Sequence, residues 1–412
     1  AIAELARKEA TEAVASAYED QSLTFGRDFL IPKPFDPRLI LEIAPAVARA
    51  AMESGVAARP IRDFEAYDHR LQAFVYRSTM VMKPVFEKAR QDPKRVVYAD
   101  GEQERVLRAI QVVVDEDLAS PIVIGRREVV RRRIERLDLR LTLDEDFELC
   151  DPEDDPRYRE YWTLYHSIME RRGVTPDQAR NVVRTRNSVI AALMVRRGEA
   201  DAMICGIDGR YHRQLHHIES VLGRRPGVEN MAAMNSLILP KGTFFLCDTY
   251  VNQDPTADQL AEMTLLAADE VRRFGIEPKV ALLSHSSFGS SDAGTAVKMR
   301  DALERIHARD PELEVEGEMH GDAALSEEIR QRIFPNAQLK GTANLLIMPT
   351  LDAANIAFNL LKATSEGVSV GPILLGTNQP AHVLTPSVTV RGVLNMITLA
   401  AVEAGMMANA SD

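Results

Sequence analysis

In the stretch 279–295, KVALLSHSSFGSSDAGT, four apolar residues, Val280 to Leu283, run straight into seven Ser, His, Gly and Phe residues and then into Ser291-Asp292, a helix-start signal. The pattern predicts strand, polar loop, helix. Hydroxyls of Ser284, Ser286 and Ser287, the imidazole of His285 and free backbone N–H groups would then gather at the carboxyl end of a buried strand, where α/β proteins collect anionic ligands. A Ser/Gly loop that only caps a helix has the same composition, and the stretch by itself leaves both readings open.

Three more loops have this character: Gly206 to Arg210, Asp248 to Asp254 and Pro349 to Asn355. In a parallel sheet such strand ends share one edge, so their polar side chains converge on a cleft. Two other constellations carry less. His212, His216 and His217 have a spacing that puts imidazoles on one helix face, but no HExxH-type Glu accompanies them. They read as a solvated or cleft-lining helix, and no metal is expected. The run Arg126-Arg127, Arg131-Arg132-Arg133 and Arg136, interrupted by Glu128 and Glu135, reads first as a solvated face with i,i+4 pairs, and second as a phosphate-binding edge.

The elements that must position these loops alternate. Apolar runs predict strands at 96–98, 122–124, 202–205, 236–239, 243–246, 280–283, 315–319 and 343–348. Helical patterns fall at 103–115, 127–136, 176–197, 256–274, 293–307, 352–361 and 391–408. Strand–helix alternation predicts a largely parallel sheet covered on both faces. Ahead of it, residues 1–18 read as a helix, 30–37 as an extended Pro-rich segment, 38–54 as a helix ended by Gly55, and 63–90 as a long amphipathic helix.

At 412 residues the chain is too long for one ordinary core, and its 45% hydrophobic and 27% charged residues are those of a globular protein. A formal net charge of −11 argues against nucleic-acid and acidic-membrane partners. The three cysteines, Cys150, Cys205 and Cys247, lack CxxC spacing and fit a reducing cytoplasm. The apolar run Val393 to Ala401 falls short of the roughly 20 residues that span a bilayer. A start at Ala1 within a helical pattern suggests a piece of a longer polypeptide.

In order along the chain, these loops resemble the phosphate acetyltransferase family. The stretches YADGEQER (98–105), FLCDTYVNQDP (245–255), LLSHSSFG (282–289), GEM with DAA (317–324), ANLLIMPTLDAANI (343–356) and GPIL (371–374) carry the likeness, from about residue 80 onward. Residues 25–39 are similar to the carboxyl-terminal end of bacterial malic enzymes. Together they resemble large fused NADP-dependent malic enzymes. The resemblance implies an α/β fold of two three-layer αβα subdomains with a cleft between them, similar to the isocitrate/isopropylmalate dehydrogenase fold and preceded by a helical segment. The implied division is a malic-domain tail at 1–60, a connecting helix at 61–80, one subdomain formed by 81–221 with 386–412, and a second at 222–385.

The family reaction moves acetyl between phosphate and the thiol of coenzyme A, which needs a base for the thiol, a cation for phosphate and donors for the carbonyl oxygen. Active members carry a late Leu-Ser-Arg-Gly loop, with an Asp six residues after the Arg. Here the matching stretch is LTPSVTVRG, 384–392: Thr385 keeps a hydroxyl, Pro386 replaces the Arg and Gly392 the Asp. Loss of a general base costs roughly 10²–10⁴-fold, and loss of an electrostatic partner about 10²–10³-fold. Arg391 next door is the one residue placed to replace the charge.

The resemblance therefore implies no catalytic residue here, and a regulatory domain that senses acetyl-CoA or a related CoA ester. Gly206, Arg210, Ser284, His285, Ser286, Ser287, Asp352, Asn355 and Thr385 are the implied contacts, with Arg210 on a phosphate. NADP and a divalent metal are expected only in a preceding malic domain, which would be the partner within the chain. A dimer is the expected assembly, with higher oligomers left open. An active transferase and a purely structural oligomerisation module are the alternatives.

Overall fold

Buried aliphatic runs set the strands. A computed structural model describes residues 1–8, 26, 30–32, 36, 38–239, 241–365 and 367–409, without the side chains of 72–80 and 409. β1 (Arg95–Tyr98), β2 (Ser120–Ile124), β3 (Glu148–Cys150), β4 (Ala202–Cys205) and β11 (Ala381–Val383) form one sheet in the order β11-β4-β1-β2-β3, parallel throughout. The second sheet is mixed. Its order is β10-β5-β6-β9-β7-β8, from β5 (Ala232–Leu239), β6 (Gly242–Cys247), β7 (Val280–Leu283), β8 (Val315–Met319), β9 (Leu345–Ile347) and β10 (Val368–Leu375). β5 runs antiparallel to both neighbours, and the remaining pairs are parallel.

The helices pack by amphipathic faces. In Glu104–Asp115, Val106, Leu107, Ile110 and Val113 recur at helical spacing and all are buried. The Val390–Asn409 helix is long and apolar enough to cross a membrane by length and composition. Its Val393, Met396, Ile397, Ala400 and Ala401 are instead buried against Glu104–Asp115, the Phe64–Gln91 helix, β4 and β10.

Several elements depart from the sequence pattern. The helix expected at 176–197 is two, Pro176–Thr185 and Asn187–Arg196, broken where Arg186 takes an extended φ of −130°. The break is tied down from outside the helix: Asn187 Nδ2 donates to the Ala99 carbonyl at 3.1 Å, and Ser188 Oγ lies 2.7 Å from His217 Nδ1. β3 and β11 have three residues each, too few for a period to register. β10 was hidden by its Gly371-Pro372, which an edge strand tolerates because its outer N–H groups need no partner. The strand 236–239 starts earlier, at Ala232, and residues 38–54 begin with a π-turn, Leu39–Ile43, before the Ala44–Glu53 helix. The 1–18 helix is described only as Ile2–Arg7, and residues 33–35 and 37 of the Pro-rich segment lie outside the described residues.

Where the two sheets meet, four charged or ionisable side chains are enclosed. Arg273 Nη1 donates to Glu270 Oε2 at 2.7 Å and to Glu403 Oε1 at 3.3 Å. His382 on β11 accepts the Leu374 N–H of β10 at Nδ1, 3.2 Å away, and its Nε2 lies 3.1 Å from Glu403 Oε2. Burial pushes the Glu270 carboxyl up, and its Oε1 has no partner among the described residues. Burial opposes the charge on Glu403 too, but His382 and Arg273 hold that carboxyl below its ordinary value.

Candidate functional site

The opening loop is organised from below. Glu318, fully buried at the end of β8, accepts from Ser286 Oγ at 2.6 Å, the Gly289 N–H at 3.1 Å and Arg300 Nη1 at 2.9 Å. Ser287 Oγ accepts from the His320 N–H, and Ser284 Oγ from the Ser286 N–H. The loop thus spends its hydroxyls on its own shape. The helix beyond begins at Gly294 rather than at Ser291-Asp292; Ser291 Oγ accepts the Ala293 N–H at 3.2 Å and lies 3.3 Å from His285 Nε2. A neighbouring loop has an equivalent hub in Asp248, 3% exposed, which accepts the backbone N–H groups of Ala233, Tyr250, Val251 and Asn252 and the Asn252 amide.

Besides an open surface cavity of about 1300 Å³ between residues 224–230 and the Ala257–Arg273 helix, two cavities lie at the ends of the first sheet and beside the second. The larger of these two, about 470 Å³, is lined by Asp100 and Gln103 after β1, Arg126 after β2, Arg186, Asn187 and Ser188 at the helix break, and Asp208, Arg213 and His217 after β4. Its charges are unevenly paired. Arg126 is held by Glu102 at 2.8 Å, but no carboxylate pairs with Arg184, Arg186 or Arg213 among the described residues; Arg184 lies over the Tyr158 ring at 4.3 Å. The rest of the arginine run is engaged on the surface, Arg127 with Asp144, Arg131 with Glu128 and Glu135, and Arg136 with Glu104, as the solvated reading expects.

Ser188 Oγ lies 2.7 Å from His217 Nδ1. Burial, then His216, Arg186 and Arg213, push the His217 imidazole down to about 4, so it is neutral at pH 7 and accepts the Ser188 hydroxyl proton. Burial and the neighbouring Asp208 push Asp100 up to about 6, against the Ile207 N–H that it accepts at 2.9 Å.

The smaller cavity, about 50 Å³, is lined by Asn235, Tyr250, Phe358, Lys362, Ser369, Gly371, Pro372 and the Thr385–Gly392 loop. Its lining holds no carboxylate, imidazole or thiol, and its hydroxyls are partly engaged: those of Thr385 and Ser387 lie 3.1 Å apart, and Thr389 Oγ1 accepts the Gly392 N–H. Arg105 Nη1 clamps the loop by donating to the carbonyls of Pro386 and Val388, each at 2.6 Å. Tyr211 stacks on Tyr250 at 4.7 Å between the helix of Arg213 and the smaller cavity.

Of the residues named from the sequence, Thr385 lines the smaller cavity, and Asn355 sits behind it, donating to the Thr249 carbonyl at 3.1 Å. Gly206, with φ +96°, closes β4 against β11: a Cβ there would lie 2.6 Å from the Leu384 carbonyl oxygen. Gly206→Ala is expected to cost more than about 3 kcal/mol of stability by urea titration. Arg210 is exposed and precedes its helix, whereas Arg213, one turn on, enters the larger cavity. Asp352 is exposed. Ser284 to Ser287 line neither cavity. β7 and β10 are four strand spacings apart, roughly 19 Å at about 4.8 Å each. Sequence reasoning missed Arg186, Arg213 and Lys362, while His217 lines the larger cavity as the cleft-lining reading of its helix allows; the Asn-Ser pair inside a helical run was the available signal for Arg186.

Two sheets flanked by helices, one of them wholly parallel, with cavities along their strand ends, define a phosphotransacetylase-type fold. The chain belongs to the phosphate acetyl/butaryl transferase family, whose pattern matches residues 80–401. The fold is that of a phosphotransacetylase from Streptococcus pyogenes (TM-score 0.72, 25% identity, covering 80% of this chain and 98% of that one) and of one from Staphylococcus aureus (0.68, 26%, covering 78% and 99%). Over 98% of its length the chain is 56% identical to the NADP-dependent malic enzyme of Salmonella typhimurium, covering 53% of that protein. With the Escherichia coli NADP-dependent malic enzyme the identity is 57%, again over 98% of this chain and 53% of the relative. The chain thus spans about half the length of these relatives.

Proposed function

We propose that the chain is the acetyl-CoA-sensing half of a fused malic enzyme and is inert as a transferase. The observation that carries this reading is the smaller cavity, which keeps hydroxyls and Lys362 but is lined by no carboxylate, imidazole or thiol that could take a proton from the coenzyme A thiol. Arg391, the one candidate for the missing charge, is exposed and outside the lining. In this reading the phosphates of the CoA ester pair with Arg186 and Arg213 in the larger cavity, and the acyl end lies near Thr385.

Malate oxidation and decarboxylation with NADP and a divalent metal would belong to the other half of the parent protein, working in the cytoplasm. Acetyl-CoA would tune it by binding one arrangement of the two units more tightly than another. Self-association as a dimer fits the exposed Ile356 (57%), Leu360 (60%) and Leu361 (37%) on one helix. The cleft contacts, the subdomain boundaries at 221 and 385, and inhibition as the direction of control are part of the same proposal.

Calorimetry with acetyl-CoA tests it. Binding without thiol-dependent release from acetyl phosphate is the expected result. No binding at millimolar ligand would refute the sensor, and steady turnover would make the chain an active transferase. A charge-assisted hydrogen bond contributes about 1.5–3 kcal/mol, so Arg186→Ala with Arg213→Ala should weaken binding at least tenfold. The loss should shrink as salt is raised.

A further inference from the structure

Most lysines of this chain are engaged. Of the ten, Lys8, Lys83, Lys94, Lys279 and Lys298 each hold their ammonium 2.5–3.5 Å from a carboxylate oxygen, and Lys340 Nζ donates to the Ala337 carbonyl at 3.2 Å. Lys33 lies outside the described residues. Lys88, Lys241 and Lys362 have no carboxylate or carbonyl partner among the described residues, and of these three Lys88 and Lys241 are exposed, whereas Lys362 is half-buried and lines the smaller cavity. Its Nζ lies 5.8 Å from the centroid of the Phe358 ring, which is fixed in a buried cluster with Ala354 and Leu246. No carboxylate competes with an incoming group for this amine.

The cavity puts the amine beside groups that suit a carbonyl. Lys362 comes from the Leu351–Thr364 helix and Thr385 from the loop after β11, and both line the same space. The Thr385 and Ser387 hydroxyls, 3.1 Å apart, use one proton between them and leave the other for an outside acceptor. The Ser369 hydroxyl has no partner among the described residues. Such donors polarise a thioester carbonyl and stabilise the oxyanion that forms when a nucleophile adds to it. With no thiol, imidazole or carboxylate in the lining, Lys362 is its strongest nucleophile, carried on a flexible four-carbon stem.

We infer that Lys362 is a self-acetylation site, modified by the acetyl-CoA bound in its own cavity. The amine lone pair adds to the thioester carbonyl and forms the C–N bond. The C–S bond then breaks with its electron pair on sulfur, and the proton shed by nitrogen ends on the released coenzyme A thiol. The product is a stable amide, so the event occurs once per chain and leaves the chain inert as a transferase. It replaces the one cation among the lining residues by a neutral group. The inference rests on the sensor reading, which supplies the bound donor.

The test is a time course of the protein with acetyl-CoA carrying a deuterated acetyl group, read as acetylation of each lysine by mass spectrometry of digests. Holding the donor beside the amine raises its local concentration above that in solution. Lys362 should therefore be labelled at least tenfold faster than Lys88 or Lys241. Excess free coenzyme A, which competes for the site but carries no acyl group, should slow Lys362 at least fivefold and leave Lys88 and Lys241 unchanged. Labelling of Lys362 no faster than that of the exposed lysines would overturn the inference. So would a preference that free coenzyme A does not reduce, because the donor would then come from solution. In both cases calorimetric binding of acetyl-CoA to the same preparation would leave the sensor reading standing, whereas failure of every CoA species to bind would overturn both. No arm needs a variant to fold.

Discussion

Asp248→Ala is expected to be the most damaging single replacement in the second unit, lowering stability by more than about 4 kcal/mol in urea or thermal unfolding. Its carboxylate accepts four backbone N–H groups and one side-chain amide at 2.6–3.1 Å, nearly out of contact with water. Each buried donor left unpaired costs about 1–3 kcal/mol, less than additively because the loop can partly open to water. Asp248→Asn keeps one acceptor oxygen but turns an NH₂ toward other donors, so it should fall between. The same loop carries Tyr250, so acetyl-CoA affinity should fall with stability in both variants. An Asp248→Ala protein as stable as the parent would show that the hub does not hold the loop.

The second large effect depends on pH. Glu270 shares Arg273 with Glu403, and burial followed by the Glu403 charge pushes its carboxyl from the ordinary 4.5 up to about 7. The folded protein therefore resists ionising Glu270, and the resulting loss of stability grows as pH rises from about 4.5 through 7. Glu270→Gln removes the penalty while Arg273 keeps Glu403. The variant should gain on the order of 1–3 kcal/mol at pH 8.5 and little at pH 5, read as melting temperature against pH. Glu403 has the opposite sign, since its folded carboxyl lies below its ordinary value. Its ionised form stabilises the fold, and Glu403→Gln should destabilise at pH 7 and progressively less as pH falls. If both variants moved stability in the same direction at pH 8.5, the division of roles would be wrong.

Because this cluster joins His382 on β11 to the Leu374 N–H of β10 and to Glu403 on the Val390–Asn409 helix, these effects report on the junction between the two sheets.

The class of fold was legible in the residues, and so was the presence of Pro386 and Gly392 in the late loop. Val280–Leu283 stands out because both faces are buried and every position is apolar, whereas Val315–Met319 is fully buried but carries Glu316 and Glu318. Pro386 and Gly392 cannot supply a cation or a proton acceptor in any fold. The short β3 and β11, the interrupted β10 and the break at Arg186 were not legible, because local periodicity needs more residues than these elements have, or fails at Gly-Pro.

The site itself was decided by tertiary structure. The composition of 284–291 offers hydroxyls, but whether they face a ligand or their own scaffold depends on Glu318, 27 or more residues away, which turns Ser286 inward. Arg210 and Arg213 are alike in sequence, and only the phase of the Tyr211–Val221 helix sends Arg213 into the cavity. Side-chain type is local and was available from the start. Direction, pairing and the volume left between distant walls are properties of packing, and those fix Lys362, Phe358 and Tyr250 around Thr385.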